Sequence, residues 1–241
     1  MPTPELPPRP LAGPPSGPVT VPAAVVHLVG AVELEPVWLN AVGGLTFRCD
    51  DRYVKWVPAG APVDLEAEAA RLAWAVRWAR VPQVLDQGSD DDGAWLVTRA
   101  IPGRSAVEPF WLERPDRAAR AIGAGLRELH DALPVDECPF DWGVASRAAD
   151  WAERAPAVDR LVVCHGDACA PNSLLADDGT PVAHVDLGAL GVADRWADLA
   201  IAAWSTEWNY GVGFAGLVYE AYGVEPDEER IAFYRALWDA T

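Results

Sequence analysis

The chain has 241 residues, 51% of them hydrophobic and 12 of them Trp, which excludes a disordered protein and leaves ample length for one compact unit or two lobes. A formal charge of −17 speaks against nucleic acid and against an anionic membrane as partners, and is suited to a small cationic ligand. Four cysteines without a CxxC pair or zinc-type spacing are too few for a disulfide framework, and they point to reduced thiols in a cytoplasm.

The start, Pro2 to Pro18, is crowded with Pro and Gly and reads as a mobile tail, so residues 1–21 are set apart as a Pro-rich segment without signal-peptide character. Pro22 stands where a helix can begin, with Val25, Val26, Leu28 and Val29 as its short apolar face. The run Val19 to Val32 is too short and too interrupted to span a bilayer. Gly43 and Gly44 lie between two strand-like runs, where they serve either as an ordinary turn or as a loop whose backbone covers a phosphate.

The next strand, Tyr53-Val54-Lys55-Trp56-Val57, carries a single cation among apolar residues. Lys55 is either an edge lysine turned to water or one kept for a nucleotide phosphate. Asp64 caps a helix expected over Leu65 to Ala79, with Leu65, Leu72, Ala75 and Val76 on its apolar face. Glu68 falls on that face and Glu66 does not. A carboxylate there needs a cation, and Lys55 is the candidate, with Arg71 on the same helix as the alternative.

A strand over Val81 to Leu85 and another over Ala94 to Ala100 follow, the second breaking at Pro102-Gly103. That break sets the expected boundary between an N-lobe of residues 22–100 and a C-lobe of residues 101–241. Pro115 to Leu133 reads as an amphipathic helix, with His130 near its end as a structural histidine.

Leu161-Val162-Val163-Cys164 then delivers His165-Gly166-Asp167 to a turn, Asn172 follows Asp167 after four residues, and a second apolar run ends at Asp186-Leu187-Gly188. The H-x-D-x-x-x-x-N spacing followed by D-x-G is the layout of a kinase catalytic loop and metal-binding turn. One carboxylate beside a hydroxyl nucleophile, plus an amide and a second carboxylate as hard-oxygen ligands, suits magnesium-assisted phosphoryl transfer. Beyond it lie an apolar helix opening near Asp194, with Asp198 accepting backbone hydrogen bonds, and helices around Phe214 to Tyr222 and Pro226 to Trp238.

These motifs, with Gly191-Val192-Ala193-Asp194-Arg195 and Arg230-Ile231-Ala232-Phe233-Tyr234-Arg235, resemble the aminoglycoside phosphotransferases, nearest the 3'-phosphotransferases of kanamycin and neomycin. The resemblance runs from about Pro22 onward and is densest after Leu161. It implies an α+β, two-lobed, protein-kinase-like fold with a small antiparallel-sheet N-lobe and a mostly helical C-lobe. It further implies ATP and Mg2+ as cofactors. Asp167 would be the catalytic residue, Asn172 and Asp186 the metal ligands, and Lys55 the phosphate contact fixed by Glu68. Gly43 and Gly44 would cover the nucleotide, and the backbone of Thr98, Arg99 and Ala100 would meet adenine. His165 and Asp198 would support the loop from behind, His165 by packing rather than as a general base.

For a cationic acceptor, the candidate acids are Asp150, Glu153, Asp159, Glu207 and Asp239, of which Asp239 alone sits on a motif match. Relatives carry a longer acidic insertion where only Gly143 to Arg160 stands here, and often an Arg where this chain has Ala189. Both departures leave a kinase for another small alcohol or amino sugar as the alternative, with a silent nucleotide-binding protein behind it.

Overall fold

The computed structural model describes residues 12–30 and 32–241, so most of the expected tail lies outside the described residues. The chain divides into two compact units, residues 1–69 with 83–100 and residues 70–82 with 101–241.

The first unit opens with α1 (Ala23–Val29), entered from Pro22 and closed at Gly30. β1 (Glu35–Leu39), β2 (Leu45–Cys49) and β3 (Arg52–Pro58) follow, then the start of α2 (Leu65–Ala75), β4 (Val84–Ser89) and β5 (Gly93–Arg99). The strands form one antiparallel sheet in the order β1-β2-β3-β5-β4. Period-two alternation puts Leu45, Phe47, Val54 and Val97 on one face, where they bury Val25 of α1. Val19 and Val21 pack on this cluster, and Gly13 exchanges both backbone hydrogen bonds with Leu39. The described part of residues 12–21 is therefore held, since its β-branched side chains have apolar surface to cover.

α2 begins as expected, with the Asp64 carboxylate accepting from Ala67 N–H at 2.9 Å. It ends at Ala75, earlier than the expected Ala79. The Arg77 side chain donates to the Trp74 carbonyl at 3.2 Å, and the backbone there tightens into a turn that leaves Val76 exposed. Residues 70–82, read from sequence as part of the first lobe, share their contacts with the second unit. The strand expected from Val81 starts at Val84 and runs to Ser89.

The second unit contains β6 (Arg104–Ser105), α3 (Pro109–Leu112), α4 (Pro115–Ala132), α5 (Val144–Arg147), β7 (Leu161–Cys164), β8 (Ser173–Leu175), β9 (Pro181–His184) and β10 (Gly191–Asp194). It closes with α6 (Trp196–Tyr210), α7 (Ala215–Tyr222) and α8 (Glu228–Ala240). β7 pairs with β10, and β6, β8 and β9 form a second small sheet. The apolar stripe of α4, with Ala119, Ile122, Leu126 and Leu129 all buried, packs on α6 and α7. At Gly123 a Cβ would come within 2.3 Å of the Val218 carbonyl oxygen, so α4 and α7 meet backbone to side-chain-free backbone. α8 begins two residues later than expected because Asp227 caps it, accepting from Arg230 N–H at 3.1 Å. Among the described residues no helix is long and apolar enough to cross a membrane.

Candidate active site

β7 is buried along Val162, Val163 and Cys164, and this fixes where the chain turns at His165-Gly166-Asp167. The turn is held from beneath by Asp198 on α6, which is fully buried. One oxygen of Asp198 accepts from His165 N–H at 2.6 Å and from His130 Nε2 at 2.9 Å, and the other accepts from Gly166 N–H at 2.9 Å. Burial alone would raise this carboxyl, but the hydrogen bond and charge of His130 outweigh it and hold the group below its ordinary value. His130 is locked in turn by the Tyr222 hydroxyl at 2.9 Å from Nδ1.

Gly166 has φ 84°, and a Cβ there would lie 2.2 Å from the Ala189 carbonyl oxygen, so only glycine lets the turn approach the Asp186 loop so closely. The His165 side chain stitches the same two segments. Its Nε2 donates to the Val185 carbonyl at 2.9 Å and its Nδ1 accepts from Asp167 N–H at 3.3 Å. Both nitrogens are thereby spent on backbone, a positioning arrangement that leaves no base nitrogen over.

Asp167 emerges with one buried carboxylate oxygen, Oδ1, that has no hydrogen-bond partner. The Asn172 amide nitrogen donates to the Asp167 carbonyl at 2.9 Å and to its Oδ2 at 3.3 Å, which orients the amide oxygen the opposite way. Val185 N–H donates to the Asn172 carbonyl at 3.0 Å, so Asp186 is delivered directly beside this loop. Asp186 is exposed and sits at φ 63°, a left-handed conformation that a non-glycine residue holds only under constraint. An oriented amide oxygen and a presented carboxylate fit a hard divalent cation such as Mg2+. Ala170 N–H donates to Ser205 Oγ at 2.8 Å, tying the rest of the loop to α6.

In the first unit, Lys55 Nζ contacts both oxygens of Glu68, at 2.9 and 2.8 Å, and Glu68 is 4% exposed. Glu68 lies with Leu65 and Leu72 on the buried face of α2, so Lys55 has the counter-charge that its place in an apolar strand requires. The Gly43–Gly44 turn has different affairs. Asn40 Oδ1 accepts from Val42 N–H at 3.1 Å and Gly44 N–H at 2.6 Å, and the Asn40 carbonyl accepts from Gly43 N–H at 3.2 Å. Those amides are spent on closing the hairpin rather than turned outward. Likewise Arg99 N–H goes to the Gln83 carbonyl and Ala100 N–H to the Asp51 carbonyl, so these two donors of the Thr98–Ala100 stretch are spent on backbone.

The acceptor candidates separate. Asp159 lies at the far end of β7 from Asp167, roughly 13 Å of strand away. Its carboxylate accepts from Arg195 at 2.6 Å and from Trp196 Nε1 at 2.9 Å, and it lines a cavity of about 460 Å³ with Arg195, Glu225 and Arg230. It does not gather with the other candidates. Glu207 on α6 reaches Arg235 at 3.5 Å, and Asp239 is exposed on α8. Between them Trp204, Trp208 and Trp238 cluster, with ring centroids 4.6 to 6.3 Å apart. Asp150 and Glu153 are on the 3-10 turn Ala149–Arg154.

Sequence reasoning read His130 as structural without finding its partner Asp198, and it missed the parts played by Trp142 and Arg147. His130 sits on the stripe of Leu126 and Leu133, which was the available sign of its burial. Trp142 donates to the Gly166 carbonyl at 3.2 Å, and Arg147 stacks over Trp142, with no local pattern to mark either. A further grouping, His130 with Cys164 and Asp198, has ligand atoms within 4.8 Å of one another. It is not a metal centre on chemical grounds. Burial, then Asp198 and Asp194, push the Cys164 thiol well above its ordinary value, and the other two side chains are already committed to each other and to backbone.

The family model of the phosphotransferase enzyme family (APH) matches residues 41–157 and 140–234. The chain belongs to the aminoglycoside phosphotransferase family. An aminoglycoside 3'-phosphotransferase of Streptomyces fradiae is 36% identical over 218 residues, covering 75% of this chain and 81% of the relative. A streptomycin 3''-kinase of Streptomyces griseus is also 36% identical, over 80% of this chain and 86% of its own. The crystal structure of an aminoglycoside-3'-phosphotransferase of type VIII superposes with a TM-score of 0.75 at 28% identity, over 90% of this phosphotransferase and 97% of that chain. The aminoglycoside phosphotransferase APH(3'')-Id of Streptomyces rimosus, in complex with ADP and streptomycin, gives 0.69 at 30% identity over 88% and 94%. The fold of this phosphotransferase is accordingly the α+β, kinase-like fold, and the chain is an O-phosphotransferase.

Proposed function

We propose that this phosphotransferase moves the γ-phosphoryl group of ATP to a hydroxyl of an aminoglycoside, of the kanamycin and neomycin type, in the cytoplasm, and thereby confers resistance. The observation that carries the reading is the half-buried Asp167 carboxylate, oriented by the Asn172 amide on a turn that Asp198 fastens from beneath. A carboxylate held in this way accepts the hydrogen of an acceptor hydroxyl, aligns it, and receives the proton late in a loose transition state. Asn172 and Asp186 hold Mg2+, which when bound neutralises charge on the nucleotide phosphates. Lys55, steadied by Glu68, contacts those phosphates. Asp198 and His165 keep the turn in place.

The acceptor is a polycation on this reading, drawn by the −17 charge of the chain, with Glu207 and Asp239 at the acceptor. Equal identity to a 3'-phosphotransferase and to a streptomycin 3''-kinase keeps streptomycin as the second acceptor to try. Acceptor-stimulated ADP release with kanamycin, neomycin and streptomycin tests the proposal directly. Asp167→Asn is expected to lower kcat by about 10²- to 10⁴-fold with little change in KM for ATP. Equal turnover by wild type and variant with every acceptor would remove Asp167 from the chemistry, and stimulation by neutral sugars alone would remove the aminoglycoside.

A further inference from the structure

Between Trp142 and the end of α8 lies a cation that the chemistry above does not use. Trp142 is 3% exposed and fastened to the carbonyl of Gly166, the residue directly before Asp167. The Arg147 guanidinium carbon stands 4.8 Å from the Trp142 ring centroid, and its Nε donates to Thr241 Oγ1 at 3.0 Å. Thr241 Oγ1 in turn donates to the Leu237 carbonyl at 3.1 Å, so the guanidinium is braced by an indole face on one hand and by the last turn of α8 on the other. Among the described residues Arg147 forms no ion pair, and the hydrogen bond that it donates runs through Nε. Burial draws its ionisation down, and the charge opposing that effect is Asp167. A guanidinium does not shed its proton in this range, so the result is a permanent, partly desolvated cation in the field of the catalytic carboxylate.

We propose that Arg147 is a specificity-determining residue of the acceptor site, a fixed cation that favours acceptors presenting hydroxyl oxygens around the reacting group over acceptors presenting an ammonium group there. The inference rests on the reading of Asp167 as the residue that meets the acceptor. Its physical basis is simple. The terminal guanidinium nitrogens are donors suited to sugar oxygens, while a second cation within several ångströms is repelled by an amount worth about 3- to 30-fold in an equilibrium. The short segment that carries Arg147 thus brings a positive charge to the acceptor of a strongly acidic protein.

Kanamycin A and kanamycin B make the test, since they differ in carrying a hydroxyl or an amine on the carbon beside the 3'-hydroxyl. The readout is the ratio of their kcat/KM values, which a general loss of folded protein does not move. Wild type is expected to favour kanamycin A. Arg147→Ala should shift the ratio about 3- to 30-fold toward kanamycin B, Arg147→Glu further still, and Arg147→Lys should keep most of the wild-type preference. A ratio that stays constant across the three variants overturns the proposal, as does a uniform fall in kcat on both acceptors, which would mean that Arg147 serves the transferred phosphoryl group or the fold. Should wild type release no ADP with any aminoglycoside, the phosphotransfer reading fails by itself. Calorimetric titration of both kanamycins into wild type and Arg147→Ala then decides the present point, an unmoved affinity ratio or no binding at all ending it.

Discussion

Among the described residues the first unit of this phosphotransferase buries one carboxylate, Glu68, and the second buries two, Asp194 and Asp198; Glu68 and Asp198 are stabilised in opposite ways. Glu68, in the first unit, is answered by a long side chain, the ammonium of Lys55, at two short contacts. Asp198, in the second, is answered by two backbone N–H groups and an imidazole that is itself fixed by a tyrosine. A lysine has three donors on a flexible stem and can share them with an incoming anion. Backbone amides cannot be shared without unmaking the turn. The difference separates a carboxylate that readies a ligand contact from one that builds a piece of backbone.

Removing Asp198 should therefore do the greater damage. Asp198→Ala leaves two buried amides and His130 without an acceptor, and a loss of about 3–6 kcal/mol is expected from urea unfolding midpoints, with kcat falling as the Asp167 turn loosens. Acid unfolding sharpens the same point. Because the folded-state ionisation of Asp198 is held below its ordinary value, its contribution is complete above the unfolded value near pH 4 and is lost as pH falls through the lower, folded value. Asp198→Asn should flatten that part of the acid-stability profile, and an unchanged profile would show that its ionisation is not coupled to folding.

Lys55→Met breaks the other arrangement. Glu68 then loses the ammonium that faces it, but Lys55 keeps 21% of its side chain in contact with solvent, so the expected loss is smaller, about 1–3 kcal/mol. The double variant Lys55→Met with Glu68→Gln should recover part of it in a thermodynamic cycle. In kinetics the pair should separate from Asp198 again, with Lys55→Met raising KM for ATP and Asp198→Ala acting chiefly on kcat.

Much of the centre could be read from residue order because its key groups lie close together in the chain. Asp167 and Asn172 are five positions apart and bonded to each other, and the β-branched run before them announces the strand that positions the turn. Glu68 was legible from helical periodicity, as one face of α2 had to carry it inward. What stayed hidden depends on partners far along the chain. Asp159 reads as a free surface acid until Arg195, 36 residues away, is found on it. His130 meets Asp198 across 68 positions, and Arg147 meets Thr241 across 94. Gly43 and Gly44 left two readings open for another reason. Glycine marks a backbone that must bend or approach closely, without saying what it approaches, and here Asn40 consumes the donors that a phosphate would want.

The contact of Gly166 with the Ala189 carbonyl reaches beyond catalysis. Any Cβ at that position strikes main chain instead of a side chain that could rotate away, and the main chain it strikes belongs to the loop just after Asp186. In a saturation library grown under drug selection, codon 166 should thus tolerate no alternative, and no compensating change at 189 should rescue it. A lineage of such enzymes can vary its drug-facing surface freely while this one crossing of two peptide planes stays shut to drift.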